Sequence, residues 1–135
     1  AAITAHKNNH DDYIQKSKNI LKSVGNYVYE NLKSNDVLIN KPQGGFYLMP
    51  EFVGKKFNSS SEMCKDILEK TGVALLPGSD FGFKENKMLA RLSFTDFDGQ
   101  VFFEKTHNEK IDNQTIKNFA PKVVEGVNRL KNWSK

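Results

Sequence analysis

Arg91 stands in the stretch "KMLARLSFTDFDG", residues 87–99, surrounded by Leu89, Ala90, Leu92 and Phe94. The run reads as a short strand over residues 88–95. Side chains alternate along a strand, which puts Met88, Ala90, Leu92 and Phe94 on one face and Leu89, Arg91, Ser93 and Thr95 on the other. A guanidinium on such a strand needs a counter-charge inside the fold or a cleft in which an anion binds. An internal ion pair is the commoner of these two arrangements. The planar fork of arginine also matches a carboxylate through two parallel hydrogen bonds, which lysine cannot reproduce. The chain carries 20 Lys plus Arg, of which only Arg91 and Arg129 are arginines.

Other residues capable of chemistry have simpler explanations. His6 and His10 share a spacing that would put two ligands on one helix face, but neither a third ligand nor a glutamate base accompanies them, and no metal site is expected. His107 lies in a polar stretch without a serine or cysteine nucleophile to serve. Cys64 falls on the apolar face of a helical pattern and reads as core. Asp96 and Asp98 flank Phe97 in a turn, where hydrogen bonds to the backbone account for them. The run "VFFEK" reads as packing.

The elements that position these residues are visible as periodicities. Residues 11–32 place Tyr13, Ile20, Leu21, Val24, Val28 and Leu32 at close to helical spacing, with Asp11 and Asp12 near the helix start. Residues 37–39 and 46–49 read as strands joined by the turn "KPQGG" and are expected to pair antiparallel. Ser59 with Glu62 forms a capping box ahead of Met63, Cys64, Ile67 and Leu68 on one face, and Gly72 stops that helix. Residues 73–76 form a buried strand that shares a sheet with residues 88–95. Residues 101–105 suit either a strand or a helix entry. A last helix begins near Asn113, and Pro121 either opens a new segment or kinks a longer one.

Composition bounds the function classes. The 135 residues suit one domain, and 38% hydrophobic residues with ten Phe indicate a folded core. The net charge of +4 comes from lysines scattered among acids, a pattern of solvated helix faces rather than a nucleic-acid surface. No apolar run approaches the roughly 20 residues of a membrane span, so no membrane partner is expected. A single cysteine suits a reducing compartment, and a cytoplasmic setting is the expectation.

Three stretches in order, "KPQGGFYLMPEF", "TGVALLPGSDFG" and "LARLSF", resemble the C-terminal small domain of class I/II aminotransferases, the fold-type-I enzymes that depend on pyridoxal phosphate. The similarity to aspartate aminotransferase-like enzymes covers essentially the whole chain. Residues 1–10 are similar to the end of the helix that leaves the family's large domain, and residues 11–135 to the small domain itself. The resemblance implies an α+β fold, a small, mostly antiparallel sheet flanked by helices. It implies that Arg91 binds the α-carboxylate of an amino-acid substrate, with Gly44, Gly45 and Phe46 on the substrate side of the cleft. Pro77, Gly78 and Phe81 resemble the segment that folds over the entrance and are expected to set its shape.

For the whole enzyme the resemblance implies amino transfer between an L-amino acid and a 2-oxo acid, usually by a homodimer. The lysine that holds pyridoxal phosphate belongs to the family's large domain, and none of the lysines here sits in a matching motif. The chain is therefore expected to be part of a longer enzyme and inactive alone. A lyase or synthase of the same fold, or a stand-alone domain without chemistry, is the alternative.

Overall fold

The structure, a computed structural model, describes residue 4, residues 10–106 and residues 111–135. His6 and His107 fall outside the described residues, as does most of the helix end expected over residues 1–10. The fold is α+β, as the resemblance implies. Helix α1, Asp11–Leu32, buries Ile20, Val24, Tyr27, Val28 and Leu32 along one stripe. Tyr13 departs from the expected apolar face. It is 62% exposed and lies against Phe103, with ring centroids 5.4 Å apart.

Strands β1 (Val37–Leu38), β2 (Tyr47–Leu48) and β3 (Glu51–Phe52) follow. The expected pairing of residues 37–39 with 46–49 is not formed. β1 pairs antiparallel with β3, with Val37 opposite Phe52, and β2 pairs instead with β5, Ala90–Ser93. Pro50 separates β2 from β3, because proline has no N–H to contribute to a ladder. The two strands nevertheless continue along the same neighbour. Ala90 donates its N–H to the Pro50 carbonyl at 3.1 Å, and Phe52 donates to the Met88 carbonyl at 2.8 Å. Residues 46–52 thus run beside residues 88–94, and β1 borders only their far end.

Helix α2, Ser60–Thr71, begins at the capping box read from the sequence: the Ser59 hydroxyl accepts the Glu62 N–H at 3.1 Å. The Glu62 carboxylate returns one residue earlier than a standard box, accepting the Asn58 backbone N–H at 3.0 Å. Gly72 ends the helix at φ 71°, a left-handed conformation that glycine adopts without strain. Leu68 is not on the buried stripe. It is 49% exposed, while Thr71 is buried and bonds its hydroxyl to the Ile67 carbonyl at 2.7 Å.

The extended stretch after Gly72 yields only the two-residue strand β4, Leu76–Pro77, which flanks β5 on the side opposite β2. A 3-10 turn, Gly78–Phe81, follows directly. Residues 101–105 are helical, within α3 (Gly99–Lys105), which the Asp98 carboxylate caps by accepting the Val101 N–H at 3.0 Å. Pro121 opens a new helix: α4, Asn113–Phe119, is followed after Ala120 by α5, Pro121–Ser134. Proline fits the first turn, where its missing N–H has no helical acceptor.

The core joins the helices to the sheet. Met88, Ala90, Leu92 and Phe94 are all buried, as the alternation predicts, and Phe52, Phe94 and Phe102 are its largest fully buried side chains. Two long-range bonds fasten α5 to α2. Arg129 donates to the Thr71 carbonyl at 2.8 Å, and the Trp133 indole donates to the Asp66 carboxylate at 2.8 Å. No helix among the described residues is long and apolar enough to cross a membrane.

Candidate functional site

Arg91 lies on the central strand β5, opposite Leu76 of β4, and is half-buried. Tyr47 pairs with Ser93, two residues further along β5, and is therefore diagonal to Arg91 on the same face of the sheet. The Arg91 guanidinium carbon lies 4.4 Å from the Tyr47 ring centroid and 4.3 Å from that of Phe81. The rings reach it from the two strands that flank β5: Tyr47 belongs to β2, and Phe81 to the turn that follows β4.

Among the described residues, the internal ion pair that would explain a strand arginine is absent. None of the ion pairs among the described residues includes Arg91, and none of the side-chain hydrogen bonds there is donated by its guanidinium. Arg129 provides the contrast, since its guanidinium is engaged by both the Glu125 carboxylate and the Thr71 carbonyl. The aromatic faces beside Arg91 favour the cation through their quadrupoles but accept no strong hydrogen bond. Its N–H donors thus remain available for a planar anion.

Phe46, the neighbour of Tyr47, is 39% exposed, and the two rings lie 4.2 Å apart. Its carbonyl accepts the Phe94 N–H at 3.3 Å, which fixes the start of the β2–β5 ladder. Gly44 and Gly45 lie elsewhere, along a separate cleft of about 360 Å³ between their loop and the Lys18 and Lys22 side of α1. Among the described residues, nothing beyond the adjoining residues stands within 4 Å of where a Cβ on either glycine would be. The structural demand at Gly45 is its φ of 69°, which disfavours other residues.

Gly78 has the opposite character. A Cβ there would stand 2.8 Å from the Leu89 carbonyl oxygen, so its lack of a side chain permits the close contact between the 3-10 turn and β5. Of the residues expected to set the shape of the entrance, Phe81 is the one that touches Arg91. Tyr47 is not singled out by the sequence motifs. The alternation along an antiparallel partner could have revealed it, once the β2–β5 register was known.

Cys64 and Asp98 occupy the structural places expected of them. Cys64 is buried, and burial together with the nearby Asp80 charge pushes its thiol pKa up to about 11. Asp96 is exposed and lies 3.6 Å from the Lys122 ammonium.

The residues around Arg91 suit a carboxylate. They do not suit the aldehyde of pyridoxal phosphate, since Tyr47 and Phe81 carry no amine to hold it. No step through that cofactor follows from this chain's residues.

Comparison with known proteins gives the family. Residues 1–100 match the model of the family described as aminotransferase class I and II. A probable N-acetyl-LL-diaminopimelate aminotransferase of Bacillus subtilis is 37% identical over 95 residues, covering 70% of this chain and 23% of that protein. An aspartate aminotransferase of Sulfolobus acidocaldarius is 27% identical over 123 residues, covering 88% of this chain and 27% of the relative. Among solved structures, the aspartate aminotransferase of Thermotoga maritima superposes with a TM-score of 0.60 at 25% identity, covering 98% of this chain and 26% of that one. The chain thus spans about a quarter of the length of each of these proteins. With the family match over most of its length and the shared fold, the chain belongs to the class I and II aminotransferases.

Proposed function

We propose that this chain forms the carboxylate-binding wall of a pyridoxal-phosphate-dependent aminotransferase that moves the amino group between an L-amino acid and a 2-oxo acid. The observation that carries the reading is Arg91, a half-buried guanidinium between two aromatic rings with no anionic partner among the described residues. An unpaired, partly desolvated cation is costly, and a substrate α-carboxylate supplies the missing counter-charge. Two parallel hydrogen bonds to that carboxylate fix both its position and its plane. The α-carbon is thereby held in one orientation for the proton transfer that amino exchange requires. Phe46 borders the Arg91 surface through its contact with Tyr47, whereas Gly45 lines the separate cleft beside α1.

Pyridoxal phosphate, when bound, supplies the electron sink for that chemistry. Its lysine and phosphate contacts come from outside this chain, and a second copy of the enzyme completes the site. The amino group leaves the first substrate as a 2-oxo acid forms, and a second 2-oxo acid receives it.

The test is an absorbance spectrum of the full-length protein with pyridoxal phosphate, taken before and after adding a panel of L-amino acids. The expected result is a cofactor band that shifts with one or a few amino acids and returns when a 2-oxo acid is added. A shift that no 2-oxo acid reverses, with release of an elimination product, would identify a lyase. A folded full-length protein with no cofactor band would remove the enzymatic reading altogether.

A further inference from the structure

We infer that Tyr47 and Phe81 are positioning residues: they hold the Arg91 guanidinium so that its fork takes planar carboxylates in preference to tetrahedral anions. This rests on the reading of Arg91 as the carboxylate receptor. The rings approach the guanidinium carbon at 4.4 Å and 4.3 Å, from the strand and the turn that flank β5. Attraction between the cation and each ring draws the guanidinium against the aromatic faces. An unconstrained arginine would sample many rotamers, and each hydrogen bond formed would then cost more ordering. Flanked in this way, the side chain is ordered before an anion arrives. The donors left open lie in the guanidinium plane, where the two oxygens of a carboxylate match them. A tetrahedral anion presents two oxygens to that edge as well, but its remaining oxygens lie out of that plane, where the fork has no donors for them.

The rings are themselves held. Phe81 ends the 3-10 turn, and that turn is tied down at several points. Gly78 donates its N–H to the Leu89 carbonyl at 2.7 Å, and Phe83 donates to the Gly78 carbonyl at 3.3 Å. The hydroxyl of Ser60, fully buried at the start of α2, lies 3.2 Å from the Ser79 hydroxyl and accepts the Ser79 N–H at 3.4 Å. Tyr47 is fixed from the other side by the β2–β5 ladder and by the Phe46 ring. The clamp therefore joins β2, β5 and the α2–turn contact, and its two rings serve no core. Tyr47 is 41% and Phe81 39% exposed, so a change of either side chain is expected to leave the fold intact.

The experiment uses the full-length enzyme that carries this chain and two matched anions, propionate and ethanesulfonate, which share a two-carbon tail and a single negative charge. Their dissociation constants are measured by calorimetry and by competition with the amino-acid substrate. The unsubstituted enzyme is expected to favour propionate. Phe81→Leu and Tyr47→Leu should each cut that preference by about fivefold, while Tyr47→Phe and Phe81→Tyr, which keep the ring, retain it. If both leucine variants keep the full preference while Arg91→Lys weakens propionate binding, the clamp is refuted and the carboxylate receptor stands. If Arg91→Lys also leaves propionate binding unchanged, the receptor reading falls and the clamp with it.

Discussion

Gly78 donates its N–H to the Leu89 carbonyl at 2.7 Å, and a Cβ on Gly78 would stand 2.8 Å from that same oxygen and from Leu89 Cδ2. The 3-10 turn that carries Phe81 is thereby locked against the strand that carries Arg91. Gly78→Ala must move backbone as well as a side chain, so it is expected to destabilise the fold by about 1–3 kcal/mol. A lowered denaturation midpoint at unchanged slope would show this. An unchanged midpoint would mean that the contact relaxes freely.

Ser59 caps α2 through its hydroxyl, which accepts the Glu62 N–H. Ser59→Ala leaves that N–H without its partner and should cost about 1 kcal/mol. Because Ser60 and its bond to Ser79 belong to the same first turn, fraying there should also loosen the Phe81 turn. Hydrogen exchange of the Ser79 N–H reads the second effect, and unaltered protection would uncouple the two.

Burial, followed by the Asp80 charge, raises the Cys64 thiol from its ordinary value of 9.0 to about 11. The native fold therefore prefers the neutral thiol. The resulting stability is fully present below pH 9 and is lost as pH rises toward 11. Alkylation at pH 8 should be slow in the folded protein and fast in denaturant. Rapid labelling without unfolding would contradict the buried placement.

Asp66 accepts from the Lys70 ammonium at 2.7 Å and from the Trp133 indole at 2.8 Å. Lys70 first, and then Trp133, hold its carboxyl below the ordinary 3.8. A lowered carboxyl pKa gives stability that is present above the unfolded value and lost as pH falls through the folded one. Asp66→Asn should therefore flatten the loss of stability below about pH 4. An unaltered acid limb would show that Asp66 contributes no such linkage.

Much of the fold was legible because local rules agree with the tertiary structure. The Asp11 to Leu32 periodicity, the Ser59 cap and the Gly72 stop mark helix ends that the structure reproduces. Pro121 could not be decided locally, because proline occurs both in the first turn of a helix and at kinks, and the choice depends on the packing around it. The strand pairing was misread for a related reason. Residues 37–39 and 46–49 are joined by a turn sequence, but the partner that covers Tyr47 and Leu48 comes from more than 40 positions further along. The candidate site was half legible. Arg91 stands out by type alone, whereas Tyr47 and Phe81 come against it only through the β2–β5 register and the 3-10 turn.

The most direct test of the central claim compares the two arginines in the full-length enzyme. Arg91→Lys keeps the charge but loses the fork, and kcat/KM for the amino-acid substrate should fall by about tenfold or more. Arg129→Lys, at a guanidinium already engaged by Glu125 and Thr71, should alter stability while leaving kcat/KM near its original value. A loss confined to Arg91→Lys is the predicted result. Unchanged kcat/KM in Arg91→Lys, in a folded protein that still binds pyridoxal phosphate, would contradict the account.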